Sequence, residues 1–263
     1  MPNLEPVALN FQSLDFRLCA PAAKDFIAEE VALGTFEQPM PSVVVALARM
    51  LGGTMLDIGA NNGIYSILAC LAHGGLTSIA FEPYPPVIDV LQRNVALNSL
   101  EARISIEKYA LSDSAGQAPL FVPHQPHGLL ETSCSLEPDF KEAVADSIMI
   151  ETRRLDTLTS PAPTIIKLDV EGHEAKVLAG GRNTIAAAKP IIFVEVLRHA
   201  DPTIMNEIAA ENGYGRYRLR HDGVVVREQE IAFDLHAWNH VLVPRTYARR
   251  FDEAVASVGI PFV

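Results

Sequence analysis

Short, nearly continuous apolar runs alternate along this chain with stretches in which apolar residues recur three or four positions apart. The runs lie at 55–58, 77–81, 164–168 and 190–196. A strand with one exposed face would carry polar residues at every second position, so unbroken runs predict strands covered on both faces. A further strand is predicted at 103–109. With helices between the strands, this order predicts a doubly wound α/β fold with a mainly parallel sheet.

The first run leads into a glycine-rich turn, Gly59–Gly63, and then into a helix. Apolar residues with the spacing of a buried helix face follow at Ile64, Ile67, Leu68 and Leu71. A helix N-terminus presents free backbone N–H groups, and glycines let a ligand approach closely. This stretch therefore predicts a site for a nucleotide-like cofactor.

The chain before this turn carries no nucleotide-binding signature. It predicts a short strand within Val7–Leu18, a helix at Ala22–Leu33, and a helix at Val43–Leu51 that Ser42 would cap. We expect this region to cover the site or to pack on the sheet.

Residues 114–160 interrupt the alternation of strands and helices. They predict a hairpin or a long loop, and loops of this length often form lids or binding loops. His124 and His127 lie there among prolines and are interpreted as surface residues. Farther along, a closing antiparallel edge is predicted from three short strands, at 217–219, 224–226 and 241–243.

Composition narrows the class of protein. Of 263 residues, 49% are hydrophobic and 20% are charged, which is ordinary for a globular domain, and no apolar run approaches the ~20 residues that span a bilayer. The net charge is −11 without a basic patch, which argues against nucleic-acid binding. The three cysteines form no CxxC pair, and no secretion signal is evident. We expect a cytoplasmic enzyme acting on a small molecule, with a homo-oligomer left open.

Acidic residues lie where the predicted strands end. Glu82 ends the second strand and follows Asp57 at roughly the ~20-residue spacing at which nucleotide-binding units place a ribose-binding acid. The turn G-A-N-N-G lacks the GxGxxG spacing of a pyrophosphate turn, which disfavours the alternative of a nicotinamide-dependent oxidoreductase. Asn61 or Asn62 would instead hydrogen-bond an uncharged or zwitterionic ligand.

Several segments in order resemble the FkbM-type S-adenosylmethionine-dependent methyltransferases: DIGANNGIYS, FEPYPP, IIKLDVEGHE, VLAGG, PIIFVEV and NHVLVP. The resemblance runs from about Asp57 to Pro244. It implies the class I methyltransferase fold, a Rossmann-like sheet of about seven strands whose last strand is antiparallel. We therefore expect an N-terminal extension at 1–53 and a methyltransferase domain at 54–263, with a β-rich insertion at about 114–160.

The same resemblance implies a set of residues that bind S-adenosylmethionine. The turn would line the methionine end, Glu82 would hold the ribose, and residues after the third strand would flank the adenine. The full set is Asp57, Gly59, Ala60, Asn61, Asn62, Gly63, Tyr65, Glu82, Pro83, Ala110, Leu111, Asp113 and Asp169. Structural alternatives stay open: a helix N-terminal acid at Asp57, turn-forming asparagines, and a solvated acid at Glu82.

The expected reaction is methyl transfer to a hydroxyl of a small molecule or sugar, which needs alignment and a base. Candidate catalytic residues are Asp169, Glu171, His173 and Glu195. Lys167 would pair with Glu195 or face a loop. These side chains could also hold a divalent ion, but the expectation is no metal. A non-catalytic cofactor-binding protein is the remaining alternative.

Overall fold

A computed structural model describes residues 4–21, 26–123, 133–140 and 144–263. His124 and His127 lie outside the described residues. The strands are β1 (Leu4–Phe11), β2 (Leu14–Pro21), β3 (Thr54–Ile58), β4 (Thr77–Phe81), β5 (Ile104–Glu107), β6 (Ala110–Leu111), β7 (Gly116–Pro123), β8 (Val144–Arg153), β9 (Pro163–Leu168), β10 (Ile191–Glu195), β11 (Tyr214–Leu219), β12 (Val225–Glu228) and β13 (Asn239–Pro244). The α-helices are α1 (Phe26–Leu33), α2 (Met40–Leu51), α3 (Ile64–Ala72), α4 (Pro85–Leu97), α5 (Glu174–Gly180), α6 (Arg182–Ala188), α7 (Thr203–Asn212) and α8 (Ala248–Ser257). Single 3₁₀ turns lie at Leu155–Thr157 and Arg245–Tyr247.

The central sheet has the order β12-β11-β13-β10-β9-β3-β4-β5. Strands β5, β4, β3, β9 and β10 are parallel, and β13 is antiparallel to both of its neighbours. This confirms the predicted class I arrangement with its antiparallel last strand. Strand β12 adds an eighth strand at the edge.

Two hydrophobic clusters cover the two faces of the sheet, because successive side chains of a strand point to opposite faces. Ile191 and Phe193 pack toward the cluster formed with α2, α3 and α8, whereas Ile192 and Val194 pack toward α5 and α7. All four side chains are at most 1% exposed. The continuous apolar runs of the sequence therefore mark strands buried on both faces, as predicted.

The N-terminal region departs from the prediction. The expected single strand is a hairpin, because Gln12 and Ser13 take left-handed φ values of 49° and 64° and turn β1 back into β2. Helix α2 begins at Met40, before the expected Ser42 cap. The Ser42 hydroxyl donates to the Gln38 side chain instead of capping the helix.

The insertion is β-rich, as expected. Strands β7 and β8 pair antiparallel, and β6 joins β8 to complete a separate three-stranded sheet. The predicted third strand of the main sheet stops at Glu107, and Ala110 and Leu111 belong to this second sheet. No helix among the described residues combines the length and the apolar character needed to cross a membrane.

Candidate active site

A cleft opens at the carboxyl ends of β3, β4 and β9, and its volume is about 910 Å³ when the part open to solvent is included. Ten of the predicted cofactor residues line it: Gly59, Ala60, Asn61, Asn62, Tyr65, Glu82, Pro83, Ala110, Leu111 and Asp169. Glu171 and His173 line it as well. Ligands of open α/β sheets bind at this edge, because the loops that follow parallel strands meet there.

The turn after β3 is fixed by its backbone. The N–H groups of Gly59 and Ala60 donate to the Phe81 carbonyl at 3.1 and 3.0 Å. Gly59 has φ +76°, and a Cβ there would lie 1.8 Å from the Asp169 carbonyl oxygen. The chain leaving β9 therefore packs directly on the turn, and this position requires glycine.

Glu82 reaches from the end of β4 to the same turn. Its Oε2 accepts the Asn61 N–H at 3.0 Å, and its Oε1 accepts the Tyr84 N–H at 2.9 Å. Burial raises the pKa of Glu82 to about 7, although these two hydrogen bonds act to lower it. Each carboxylate oxygen keeps a second acceptor position for a ligand hydroxyl.

Asn61 supplies a second unfilled acceptor. Its φ is +51°, the left-handed conformation that asparagine tolerates in turns. Its Oδ1 is buried and has no hydrogen-bond partner among the described residues. A buried polar atom without a partner is costly, so this oxygen fits the donor of a bound ligand.

Three predicted cofactor residues lie off the cleft wall. Asp57 is fully buried behind the turn, where its Oδ2 accepts the backbone N–H and the hydroxyl of Ser66 at 3.1 and 2.6 Å. From its position in β3, Asp57 therefore accepts hydrogen bonds from the first turn of α3. Gly63 packs against Leu91, since a Cβ there would lie 2.3 Å from its Cδ1. Asp113 is exposed and accepts a hydrogen bond from the Ser114 hydroxyl.

Lys167 is the buried cation of the site. Its Nζ donates to the Gly59 carbonyl at 2.9 Å, lies 3.2 Å from Asp169 Oδ2 and sits 5.4 Å from the centre of the Tyr65 ring. Burial alone would lower its pKa, but Asp169, Asp57 and Glu37 together raise it, so the ammonium stays charged. Its ion-pair partner is Asp169 rather than Glu195.

Glu37 lines the cleft and was not among the predicted site residues. It precedes α2 and accepts a hydrogen bond from the Tyr65 hydroxyl. Burial, followed by repulsion from Asp169, raises its pKa to about 7. The segment TFEQP that contains it has no spacing or motif that indicates a site.

After β9 the chain turns sharply, since Glu171 and Gly172 have φ values of +57° and +97°. Asp169 and Glu171 therefore do not continue an extended strand. Glu174 Oε1 stabilises the turn by accepting the N–H groups of Val170 and Gly172 at 2.9 and 3.2 Å. Glu174 was not among the predicted site residues, although its place at the start of a helix was a signal.

His173 precedes the first residue of α5 and is 5% exposed. Its Nδ1 lies 2.7 Å from Glu137 Oε1, and its Nε2 lies 2.9 Å from the Ser112 hydroxyl. Burial lowers its pKa. Both ring nitrogens are occupied, so the imidazole links the insertion to α5 and does not point at solvent.

Glu195 ends β10 and is partly buried. It is absent from the cleft wall, but one of its carboxylate oxygens lies within 4.8 Å of a carboxylate oxygen of Asp169 and of Glu174. Burial, then repulsion from Asp169 and Glu171, raises the pKa of Glu195 to about 11. The structure thus brings the four predicted catalytic residues to one end of the sheet.

Comparison with known proteins agrees with this geometry. The family model described as the methyltransferase FkbM domain matches residues 57–215. The chain belongs to this family. The matched region begins within β3 and includes the Gly59–Gly63 turn, Glu82 and the whole segment from Asp169 to Glu174.

Two curated relatives and one solved structure illustrate the similarity. The hexuronic acid methyltransferase AglP of Haloferax volcanii is 28% identical over 59% of this chain and 60% of its own length. The methyltransferase sdnD of Sordaria araneosa is 31% identical over 48% of this chain and 59% of its own length. The crystal structure of the methyltransferase FkbM from Methylobacillus flagellatus aligns with a TM-score of 0.51 at 18% identity, over 73% of this chain and 43% of that one. The chain thus spans about 60% of the length of the curated relatives it matches.

The buried ammonium gives a stability prediction. Lys167→Met should lower the free energy of unfolding by about 3–5 kcal/mol, because it leaves Asp169, Asp57 and Glu37 without their shared cation. Urea unfolding followed by circular dichroism measures this. Lys176→Met is the matched control: its side chain is 49% exposed and pairs with Glu137, so its loss should stay within about 1 kcal/mol. Equal small losses in both variants would contradict the assigned role of Lys167.

Proposed function

We propose that this protein is an S-adenosylmethionine-dependent O-methyltransferase that acts on a hydroxyl of a small molecule or sugar. The observation that carries the proposal is the contact of Glu82 with the Asn61 N–H beside the unpartnered Asn61 Oδ1. Together these groups offer acceptors at two points of one cleft, as a nucleoside linked to an amino acid requires. Membership of the FkbM methyltransferase family supports the same reading.

The residues of the cleft suggest how the cofactor would be held. Glu82 would accept hydrogen bonds from the ribose hydroxyls, and Asn61 Oδ1 would accept one from the ammonium group of the methionine portion. The aromatic rings of Phe81 and Tyr109, with Leu111, form an apolar wall for the adenine. A bound sulfonium supplies an electrophilic methyl group, so the protein has to orient the acceptor and accept its proton.

The acceptor side would be formed by the segment after β9. Asp169 and Glu171 line the cleft there, and the Lys167 ammonium holds Asp169 in place. His173 is better suited to positioning this segment than to taking a proton, because both of its nitrogens are engaged. We propose that residues 54–263 form the methyltransferase domain and that the N-terminal extension closes one wall through Glu37.

The acceptor class follows from two considerations. A carboxylate-rich cleft wall favours a hydroxyl acceptor that can donate hydrogen bonds over an anionic one. The name of the Haloferax volcanii relative specifies a hexuronic acid, and that of a Streptomyces tacrolimicus relative specifies 31-O-demethyl-FK506. The second name specifies methylation at oxygen, whereas a hexuronic acid carries a carboxylate beside its hydroxyls, so we propose a neutral sugar as the first acceptor to test and a uronic acid as the second.

Cofactor binding is testable by thermal unfolding. S-adenosylhomocysteine at 100 times its dissociation constant should stabilise the fold by about 2.7 kcal/mol and raise the melting temperature, whereas NAD should leave it unchanged. Differential scanning fluorimetry of the full chain with each compound measures this. A shift with NAD alone would support the oxidoreductase alternative and refute the proposal.

The pKa of Glu82 gives a pH prediction. Hydrogen bonds from ribose hydroxyls favour the ionised carboxylate, so protonation competes with binding as the pH falls through about 7. S-adenosylhomocysteine affinity should be constant above pH 8 and decline below pH 7 by up to about tenfold per pH unit. Isothermal titration calorimetry across this range measures it.

Substitution of the same residue supplies the control. Glu82→Gln should bind S-adenosylhomocysteine weakly and lose the decline in affinity below pH 7. Glu101→Gln removes an exposed acid near β5 and should keep the wild-type profile. A Glu82→Gln chain with wild-type affinity and the same pH profile would remove Glu82 from the cofactor site.

Turnover separates an enzyme from a binding protein. Incubation with S-adenosylmethionine and a panel of free sugars, uronic acids and hydroxylated macrolides should release S-adenosylhomocysteine with at least one acceptor. The product should carry a new O-methyl group, detected as a 14 Da gain by mass spectrometry. Binding of S-adenosylhomocysteine with no release across a broad panel would favour the non-catalytic alternative.

A further inference from the structure

Three carboxylates converge beside the cleft from three separate elements. Asp169 follows β9, Glu174 begins α5 and Glu195 ends β10. One carboxylate oxygen of each lies within 4.8 Å of one from both others. They come together because β9 and β10 are adjacent parallel strands whose carboxyl ends lie side by side.

The side chain of Glu174 provides a second, independent indication of a bound ligand. Its side chain is 1% exposed, and its Oε1 is fully used by the N–H groups of Val170 and Gly172. Its Oε2 is buried and has no hydrogen-bond partner among the described residues. An acceptor held in a buried position without a donor indicates that a ligand satisfies it.

The charge around the cluster is also unbalanced. Of these three acids, Asp169 alone has an ion-pair partner among the described residues, and that partner is Lys167. Lys167 is shared with Asp57 and Glu37, so it leaves Glu174 and Glu195 without a compensating positive charge, and one divalent cation would stabilise both acids in the ionised form. Like charges at this separation repel in a partly buried site, so the uncompensated arrangement is unfavourable.

We propose that Asp169, Glu174 and Glu195 bind one divalent cation at the acceptor end of the cleft. Three carboxylate oxygens are hard ligands and favour Mg²⁺, Mn²⁺ or Ca²⁺ over thiol- or imidazole-preferring metals. A six-coordinate ion held by three monodentate carboxylates keeps three positions for water or for a ligand oxygen. Of the three ligands, Asp169 lines the cleft and so connects the proposed ion site to it.

The ion would have a chemical role that rests on the proposed function. A hydroxyl bound to a divalent cation loses its proton more readily, and the ion fixes the orientation of the acceptor oxygen. Vicinal hydroxyls of a sugar can bind such an ion as a pair. Acceptors with two adjacent oxygen donors should therefore bind best.

Metal binding is tested without an acceptor. The full chain is freed of metal with a chelator, dialysed and titrated with Mn²⁺, and free Mn²⁺ is counted by electron paramagnetic resonance with and without S-adenosylhomocysteine. One Mn²⁺ per chain, displaced by excess Mg²⁺ or Ca²⁺, is expected. Glu195→Gln should weaken binding at least tenfold, and Asp252→Asn, which removes an exposed acid on α8, should bind as wild type.

The melting temperature shows whether the Glu195→Gln variant is folded and whether it responds to the ion. In chelator, Glu195→Gln should melt no lower than wild type, because glutamine keeps the size of the side chain and adds no charge, and added Mn²⁺ should raise only the wild-type melting temperature. If Glu195→Gln does not fold, Asp169→Asn is titrated in its place with the same expectation. No saturable site in the wild type, or unchanged affinity in the folded variant, would overturn the proposal.

The two proposals fail separately. A chain that binds Mn²⁺ but neither S-adenosylhomocysteine nor an acceptor would refute the proposed function and leave the ion site standing. A chain that transfers methyl groups equally well in chelator and in Mg²⁺, and binds no Mn²⁺, would refute the ion site alone.

Discussion

The ion pair and hydrogen bond of Lys167 are the interactions on which the rest of the site depends. Register places Lys167 beside Asp57 on the adjacent strand, and its ammonium reaches the Gly59 carbonyl and Asp169. Charges withdrawn from water are stable only when they are paired and hydrogen-bonded. One ammonium therefore allows several acids to occupy a buried edge of the sheet, and it joins the Gly59–Gly63 turn to the segment that follows β9.

This arrangement couples the two ends of the cleft. Three side chains hold the turn through hydrogen bonds to its backbone. Glu82 accepts the Asn61 N–H, and Lys167 donates to the Gly59 carbonyl. The side-chain amide of Asn94 donates to the Asn62 carbonyl at 2.8 Å. The oxygen of the same Asn94 accepts the Cys19 N–H at 2.6 Å, so the N-terminal hairpin braces the turn. The proposed cofactor site thus lies on a turn that contacts within the protein hold in place, which is the preorganisation that a binding site needs.

Local patterns were sufficient to predict the sheet and the turn. Continuous apolar runs identified the buried parallel strands, and Gly59–Gly63 identified the turn, because both signals depend on neighbouring residues alone. The contacts of Glu37 with Tyr65 and of His173 with Ser112 and Glu137 join residues far apart in the chain. None of these three pairs has a sequence spacing that indicates contact. The same reason applies to Asp57, near the end of β3, and to Asp113, which follows β6: their places along the chain were predictable, but the direction of each side chain depends on the tertiary packing.

A crystal structure of the chain with S-adenosylhomocysteine tests the central claim most directly. We expect the ribose hydroxyls within hydrogen-bond distance of Glu82 and the amino group near Asn61 Oδ1, with the turn in its present conformation. Electron density for the ligand at another edge of the sheet, or protein side chains filling the cleft against Glu82, would contradict it.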